Sequence, residues 1–284
     1  MKLSEAKILA VGIIAEYNPF HAGHAHQISE IKKFYGGEIV AVMSGSFTQR
    51  GEPAILDKFT RARLAILNGV DLVLELPFVA AVRSAQDFAR GGIRLLESLG
   101  VVDKLAFGAE VTDIEKLKSA ASAFEENFFA ENLRGLMAQG ISYAAAVTKI
   151  LSEVTGLEEK LLRQPNTILA IEYLRALPEK ISPLLIKRIG AAYDDLTLQE
   201  KFSSASAIRA ALREKFPAWE KIAAQVDAET LKILRQEKFP DEKFLFRPLM
   251  TKLLTSRVDE LRKIYGMTEG LEYRLLNATA KNFS

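Results

Sequence analysis

Short apolar runs alternate with amphipathic segments along most of the chain, and each run has the length of a strand. The first run, 8–15, consists mostly of branched residues and is followed by a turn signal at Asn18-Pro19. Such a composition is typical of a strand that is buried on both faces of a sheet. In all, the pattern predicts five strands, over 8–15, 38–43, 71–76, 104–107 and 184–189.

Helical periodicity fills the stretches between these strands. It predicts helices over 25–34, 58–67, 84–99 and 166–177, and a long helical tract over 112–162 that is broken near Gly140 and Gly156. Strands that alternate with helices form right-handed βαβ units around a parallel sheet. The sequence therefore predicts an α/β fold with a Rossmann-like parallel sheet of about five strands.

Polar or glycine-bearing loops follow four of the predicted strands. They carry His21, the segment 44–50, Gly108 and Arg188. Ligands of open parallel sheets bind at the carboxyl ends of the strands, near the point where the strand order reverses. We therefore expect these four loops to converge on one site.

The pattern changes beyond Arg209, where Phe-Pro and Arg-Pro pairs separate short helices. This change predicts an α/β domain at 1–212 and a helical C-terminal region at 213–284. An apolar stripe at helical spacing runs through that region, and we expect it to be core and not a partner surface. Its members are Phe246, Leu249, Leu253, Val258, Leu261 and Ile264.

Length and composition limit the function classes. The 284 residues can hold one large α/β domain with a smaller appendage, and a net charge of +2 means that any nucleic-acid contact must be local. The absence of cysteine excludes disulfides, thiolate metal sites and a cysteine nucleophile, and it suits a reducing compartment. No secretory signal and no apolar span of roughly 20 residues is present, so we expect a cytoplasmic protein without a membrane partner.

All three histidines of the chain lie in one short segment, at His21, His24 and His26. The segment joins the first strand to the first helix, where backbone N–H groups and the positive end of the helix dipole attract phosphate. Gly23 has no side chain and lets a ligand approach the backbone closely. Because His21 and His24 are three residues apart, they share a helix face and can both donate hydrogen bonds to a phosphoryl group.

Two other interpretations of the histidines remain open at this stage. The string H-x-G-H is short enough to occur by chance. Histidine is also a common metal ligand. The chain has no cysteine, however, and no acidic residue at a familiar zinc-motif spacing from His21 and His24, so we expect no metal site made by the protein.

A second candidate segment begins at Phe202 and ends at Arg209. Serine hydroxyls at the start of a helix can cap it and bind anions, and Arg209 follows one turn later. An ordinary serine cap with a solvated arginine would look the same. The pairing of H-x-G-H with the later S-S-x-x-x-I-R nevertheless resembles the two signatures of the nucleotidyltransferase superfamily. That resemblance implies that both segments grip the triphosphate of ATP while a nucleophile attacks the α-phosphate and expels pyrophosphate.

Longer motifs carry a closer resemblance, which runs in order over about the first 210 residues. They are G-I-I-A-E-Y-N-P-F-H-A-G-H (12–24), M-S-G-S-F-T-Q-R-G-E-P-A (43–54), D-L-V-L-E-L-P (71–77), F-G-A-E (107–110), P-N-T-I-L-A-I-E-Y (165–173) and R-I-G-A (188–191). Together they resemble the bacterial tRNA(Met) cytidine acetate ligases. The resemblance implies that acetate is activated with ATP to acetyl-adenylate and transferred to the wobble cytidine of elongator tRNA(Met), which yields N4-acetylcytidine.

The resemblance also implies the roles of individual residues. The catalytic candidates are His21, His24 and Arg209, which would neutralise charge on the phosphates, with Mg²⁺ bridging phosphate oxygens. The segment 44–50 is a plausible contact for acetate or tRNA. The implied ATP contacts are Ile14, Ala15, Glu16, Tyr17, Asn18, Pro19, Phe20, His21, Ala22, Gly23, His24, Ala25, His26, Gln27, Gly108, Asn166, Arg188, Ser203, Ser204 and Ser206.

The chain departs from the family at two points. Ser206 stands where members usually have threonine, which keeps the hydroxyl. Members also usually continue beyond the position of Ser284 with a basic region implicated in tRNA contact, so we expect 213–284 to be short relative to the family. Two other functions stay open: an adenylyltransferase that acts on a small phosphorylated acceptor, and a non-catalytic nucleotide- or RNA-binding protein.

Overall fold

The computed structural model describes residues 10–188, 197–198, 202–268 and 270–283. Packing divides the chain into two compact units, Met1–Glu237 and Lys238–Ser284, and each is described by itself. The functional boundary expected near residue 212 stays a prediction.

Among the described residues, five strands form one sheet, and they are β1 (Ala10–Ala15), β2 (Glu38–Ser44), β3 (Leu72–Leu76), β4 (Val102–Ala109) and β5 (Ser182–Lys187).

The strands lie in the order β3-β2-β1-β4-β5, and every neighbouring pair is parallel. The predicted five-stranded parallel sheet is confirmed. β1 is central, with Ile14 opposite Val42 of β2 and Gly12 opposite Leu105 of β4. The chain crosses from one side of β1 to the other between β3 and β4, so the strand order reverses between β1 and β4. This is the position at which open α/β sheets bind ligands.

Helices cover the sheet and continue into the second unit. In the first unit they are α1 (Ala22–Phe34), α2 (Lys58–Leu67), α3 (Phe78–Ala81), α4 (Ala85–Ser98), α5 (Ile114–Ala123), α6 (Asn127–Ala138), α7 (Tyr143–Thr155), α8 (Glu159–Leu162), α9 (Pro165–Ala176), α10 (Ala205–Leu212), α11 (Trp219–Ala223) and α12 (Ala228–Gln236). In the second unit a 3₁₀ helix (Glu242–Leu245) precedes α13 (Phe246–Thr255), α14 (Val258–Leu261) and α15 (Leu271–Phe283).

Two glycines let α4 pack directly against β1. A Cβ atom at Gly12 would lie 2.7 Å from Leu96 Cδ1, and one at Gly92 would lie 2.6 Å from Ile14 Cδ1. Such close approach leaves no room for a side chain on either glycine. These contacts fix where α4 lies along β1. They thereby also support the position of the loop that follows β1.

Several predicted boundaries need correction. α1 begins at Ala22 and not at 25, because the side chain of His21 accepts the hydrogen bond of a helix cap. The tract predicted over 112–162 has an additional break at 124–126, between α5 and α6. β4 is longer than predicted, and β5 begins at Ser182, while residues 8, 9 and 189 lie outside the described residues. α2 has the predicted bounds.

The apolar stripe predicted as core in the second unit is only partly buried. Leu253 and Leu261 are 6% and 1% exposed, whereas Phe246, Leu249 and Ile264 are each about half exposed. The prediction was wrong for these three. Phe246 and Leu249 lie on α13 together with the buried Leu253, so helical spacing alone does not decide which residues of a stripe are buried. Ile264 follows α14, beyond a break in the helix at 256–257.

The described helices contain no apolar stretch long enough to cross a bilayer.

Candidate active site

A cavity of about 470 Å³ opens at the carboxyl ends of β1, β4 and β5. The starts of α1, α9 and α10 and the loop after β2 close its sides. Sixteen of the predicted site residues line it: Ile14, Ala15, Glu16, Tyr17, Asn18, His21, Gly23, His24, His26, Gln27, Gly108, Asn166, Arg188, Ser203, Ser204 and Arg209. The structure therefore brings the two predicted segments together in one cavity, while Pro19, Phe20, Ala22, Ala25 and Ser206 do not line it.

The rings of His21 and His24 stack at the start of α1, with 3.9 Å between their centroids. The backbone N–H of Gly23 donates to His21 Nδ1 at 3.0 Å, and the backbone N–H of His21 donates to His24 Nδ1 at 3.3 Å. Both Nδ1 atoms therefore act as acceptors. In a neutral imidazole the hydrogen must then reside on Nε2, so each ring has one N–H left to donate.

Both histidines are held in the neutral form. Burial lowers the pKa of His21 to about 3, and the nearby Arg188 and Arg209 add to this effect. Burial also lowers the pKa of His24, and the neighbouring His21 and Arg188 act in the same direction by disfavouring a second positive charge. Near neutral pH the pair consequently presents two N–H donors without carrying positive charge.

The backbone amides at the start of α1 are already engaged. The N–H of Ala22 donates to Gln225 O at 2.7 Å, and the N–H of His24 donates to His21 O at 2.9 Å. The expectation that these amides attract phosphate stays a prediction, and in this arrangement the imidazole side chains offer further donors. A Cβ atom at Gly23 would lie 2.8 Å from His21 Cε1, so glycine is needed to let the His21 ring fold back as the cap.

The start of α10 faces the same cavity. Ser204 caps the helix by accepting the N–H of Ala207 at 3.0 Å. Arg209 donates through one guanidinium nitrogen to Asn18 O at 2.8 Å and through the other to Ser206 Oγ at 3.2 Å. Arg209 thus ties α10 to the turn after β1, and the hydroxyl of Ser206 supports Arg209.

Gln225 was not predicted, yet it joins the two segments. Its carbonyl accepts the N–H of Ala22, and its side-chain oxygen accepts the N–H of Ser203 at 2.7 Å. The residue is fully buried. No local sequence pattern marks it, because its role depends only on where α1 and α10 meet.

Gly108, Asn166 and Arg188 form the opposite side of the cavity. A Cβ atom at Gly108 would lie 2.8 Å from Arg188 Cγ, so the glycine makes room for this arginine. Glu110, which follows β4, accepts the backbone N–H of Thr167 at 2.9 Å and its hydroxyl at 3.1 Å. The Glu110 carboxylate therefore caps α9, although Glu110 itself follows β4. The motif F-G-A-E contains Glu110, but its sequence pattern did not predict this role.

The loop after β2 folds into a short hairpin. The N–H of Thr48 donates to Glu52 O, the N–H of Ala54 donates to Ser46 O, and both distances are 2.9 Å. Of the predicted contact segment 44–50, the part that lines the cavity is 48–50. Ser44 is instead fully buried at the end of β2.

Arg61 is a second residue that sequence reasoning missed. Its side chain is fully buried in α2 and donates to Leu56 O at 3.1 Å, to Glu16 O at 2.5 Å and to Ser44 O at 3.1 Å. It also donates to Gly45 O. One guanidinium thereby fixes the chain where it leaves both β1 and β2.

In the described part of the chain, no group of three or more histidine, cysteine, aspartate or glutamate side chains is placed to hold a metal ion. The polar groups of the cavity include two imidazole N–H donors and the guanidinium groups of Arg188 and Arg209. Such a set suits a polyanion such as a nucleotide triphosphate.

Comparison with known sequences matches residues 8–284 to the model of the HIGH nucleotidyl transferase family. A tRNA(Met) cytidine acetate ligase from Syntrophotalea carbinolica is 42% identical over 280 residues, which cover 95% of this chain and 66% of that protein. The protein of the same name from Caldanaerobacter subterraneus is 42% identical over 283 residues, which cover 95% of this chain and 70% of that protein. The chain thus spans about two thirds of the length of these relatives.

Two solved structures of TmcAL from Thermotoga maritima have the same fold. The apo structure superposes with a TM-score of 0.85 at 33% identity and covers 96% of this chain and 68% of that one. The structure bound with alpha-thio ATP superposes with a TM-score of 0.83 at 34% identity and covers 96% of this chain and 67% of that one.

Proposed function

The chain belongs to the HIGH nucleotidyl transferase family and, within it, to the tRNA(Met) cytidine acetate ligases, and from that premise we propose that it activates acetate with ATP. The product of this step is acetyl-adenylate. Its acetyl group is transferred to the wobble cytidine of elongator tRNA(Met) and forms N4-acetylcytidine. A tRNA acceptor implies that the protein acts in the cytoplasm.

One observation carries the proposal. The stacked, neutral pair His21 and His24 lies in the same cavity as Arg188 and Arg209, at the reversal point of a parallel sheet. Both imidazoles are neutral and keep their hydrogen on Nε2, so they donate hydrogen bonds to phosphate without first gaining or losing a proton. The arginines supply the positive charge that a triphosphate needs.

The first step requires no general base in this cavity. Acetate is already ionised at neutral pH. Its oxygen attacks the α-phosphate, the bond from this phosphorus to the β-phosphate bridge breaks, and pyrophosphate leaves. His21, His24 and Arg209 donate to the phosphate oxygens where negative charge increases, and each such donor contributes a factor of roughly 10²–10³ in rate.

The second step transfers the acetyl group to the exocyclic amine of cytosine. The wobble base has to leave the stack of the anticodon loop and enter the cavity, as single-stranded RNA recognition generally requires. The hairpin 46–54 supports this step, because its residues 48–50 lie at the cavity and can contact the acceptor.

Magnesium enters the proposal only as the counter-ion that accompanies ATP. Mg²⁺ is commonly held by one or two carboxylates together with substrate phosphates and water. The described residues form no cage for it, and the carboxylates that line the cavity are Glu16 and Glu52. No step of the mechanism is derived through the metal.

The decisive measurement is acetate-dependent exchange of pyrophosphate into ATP. We expect exchange with the wild-type chain and its loss in the double variant His21→Ala/His24→Ala. Exchange that needs a phosphorylated acceptor in place of acetate would identify a different adenylyltransferase. ATP binding by calorimetry without any exchange would identify a non-catalytic nucleotide-binding protein. Mass spectrometry of tRNA(Met) after incubation with acetate and ATP then tests for N4-acetylcytidine.

A further inference from the structure

A carboxylate lines the cavity in which two anions are expected to react. Glu16 lies directly after β1, two residues before Asn18, and lines the same cavity as His21, His24 and Arg209. Acetate and the triphosphate both carry negative charge, so a carboxylate at this place opposes their binding. Its presence in the cavity calls for a function that the first half-reaction does not provide.

The chain around Glu16 holds its carboxylate in one orientation. The backbone N–H of Gln49 donates to Glu16 Oε1 at 2.7 Å, and Gln49 is itself anchored through a side-chain bond of 2.6 Å to Arg83 O. Arg61 Nη1 donates to the carbonyl of Glu16 at 2.5 Å and fixes its backbone. Within the described residues, Oε2 makes no hydrogen bond, and it is the oxygen that can take a proton.

Four charged or titratable groups act on Glu16, and each comes from a different element. They are Arg209 on α10, Arg61 on α2, Arg50 on the hairpin and Tyr173 on α9. Burial raises the pKa of the carboxyl above its ordinary value, while the Gln49 hydrogen bond and the three arginines oppose this effect. A carboxyl with a raised pKa is a better proton acceptor near neutral pH than an ordinary glutamate.

Three other titratable groups at this cavity, those of His21, His24 and Glu52, are less suitable as the base. His21 and His24 use Nδ1 as an acceptor for backbone N–H groups, and their lowered pKa values make them weak proton acceptors. Glu52 also lines the cavity, but it belongs to the hairpin, and the bonds that hold it there run through its backbone carbonyl.

The acyl-transfer step needs a proton acceptor, in contrast to the adenylation step. When the cytosine amine attacks the carbonyl carbon of acetyl-adenylate, a C–N bond forms and the bond from this carbon to the AMP oxygen breaks. AMP leaves as an anion, and the nitrogen must lose one proton to give the neutral amide. We propose that Glu16 is the catalytic base that accepts this proton on Oε2 during acetyl transfer to the RNA.

This inference rests on the proposed function and separates its two half-reactions. The test variant is Glu16→Gln, which keeps the side-chain shape and removes the basic oxygen. We expect transfer of acetyl to a tRNA(Met) anticodon stem-loop to fall by roughly 10²-fold, while acetate-dependent pyrophosphate exchange changes at most a few-fold. Hydroxylamine, a strong nucleophile, captures acetyl-adenylate directly, and its acetylation should follow exchange and not RNA transfer.

The pH profile provides a readout that a structural role would not change. For the wild-type chain, the rate of acetyl transfer should fall as the pH is lowered and Glu16 becomes protonated. This acid-side fall, the acid limb of the profile, should disappear in Glu16→Gln. The control is Glu115→Gln, which removes an exposed carboxylate on α5 that pairs with Lys118 and lies outside the cavity; this variant should keep both the transfer rate and its fall on the acid side.

The outcomes distinguish the two claims. If wild-type protein lacks acetate-dependent exchange, the proposed function is wrong. If exchange occurs and Glu16→Gln transfers acetyl to RNA at the wild-type rate, the base assignment is wrong and the function stands. Equal losses of exchange and transfer would make Glu16 a structural residue. A wild-type chain that forms the adenylate but acetylates no RNA would overturn both the acceptor and the role of Glu16.

Discussion

Asn166 Nδ2 donates a hydrogen bond of 2.7 Å to Glu110 Oε1, across 56 positions of the chain. Arg188 Nε lies 3.9 Å from the same oxygen. One carboxylate at the end of β4 therefore sets the positions of two cavity-lining residues that come from α9 and from the end of β5. This arrangement makes Glu110 a positioning residue for the nucleotide side of the site, although Glu110 itself does not line the cavity.

The substitution Glu110→Gln should weaken the binding of ATP. The amide nitrogen of glutamine would replace one carboxylate oxygen and face the donors of either Asn166 or Thr167, and a charge-assisted bond of this kind is worth about 1.5–3 kcal/mol. We expect the KM for ATP in acetate-dependent exchange to rise by about tenfold or more, with a smaller fall in kcat. The control Glu115→Gln removes an exposed carboxylate on α5 that pairs with Lys118, and it should leave the KM for ATP unchanged. An unaltered KM in Glu110→Gln would refute this positioning role.

The substitution Gly108→Ala should act through Arg188. The new methyl group would lie 2.8 Å from Arg188 Cγ, and because that side chain is flexible, it will move before the strand does. We expect a several-fold higher KM for ATP and a thermal midpoint near that of the wild type. A midpoint that collapses together with activity would show that the backbone of β4 had moved instead.

Gly135→Ala is the matched control for the glycine substitution. A Cβ atom at Gly135 meets no atom within 4 Å, and the residue lies inside α6. Alanine favours a helix over glycine by about 0.8–1 kcal/mol. This variant should therefore melt at a higher temperature with unchanged kinetics, and no gain in stability would contradict the helical position of residue 135.

Local sequence pattern was sufficient for the sheet and for most of the cavity. Buried parallel strands need continuous apolar runs, and turn residues must follow them, so β1 and the loop that carries His21 could be located directly. α2 has the predicted bounds, and its start is of an ordinary kind, since Asp57 is an N-cap whose carboxylate accepts the N–H groups of Phe59 and Thr60. The start of α1 was missed because histidine is an uncommon cap.

The residues that position the site could not be found in the same way. Arg61 looks like any arginine on an amphipathic helix, and only the fold shows that its side chain is buried among backbone carbonyls. Gln225 and Glu110 act across long sequence separations. The spacing of apolar residues along the sequence indicates whether a segment is a helix or a strand. The contacts of Arg61, Gln225 and Glu110 depend instead on how separate elements pack together.

The substitution Arg61→Lys should destabilise the protein and the site together. Lysine is shorter and cannot present the planar fork that reaches the carbonyls of Leu56, Glu16 and Ser44. Leaving a buried backbone carbonyl without a donor costs about 1–3 kcal/mol, so urea unfolding should show a clear loss of stability. Exchange activity should also fall, because the chain after β1 and β2 loses its anchor.

The control for this variant is Arg63→Lys on the same helix. Arg63 is largely exposed and pairs with Glu229, and exposed pairs contribute only about 0–1 kcal/mol. Its unfolding free energy should stay within 1 kcal/mol of the wild type, as expected for such a pair. Equal effects of the two substitutions would mean that the buried contacts of Arg61 do not stabilise the fold.

The lowered pKa values of His21 and His24 make stability depend on pH in a defined direction. In the unfolded chain both histidines take up a proton below the ordinary value of 6.5, whereas native His21 does so only near pH 3. Between these values the unfolded state binds more protons, so the histidines make the protein less stable as the pH falls. Above pH 6.5 the histidines are neutral in both the folded and the unfolded state, and the effect is absent.

The thermal midpoint of the double variant His21→Gln/His24→Gln should therefore fall less than that of the wild type when the pH is lowered from 7.5 to 4.5. Parallel curves for the two proteins over this range would show that the native histidines are protonated as readily as free ones, and the site would then present cations in place of neutral donors.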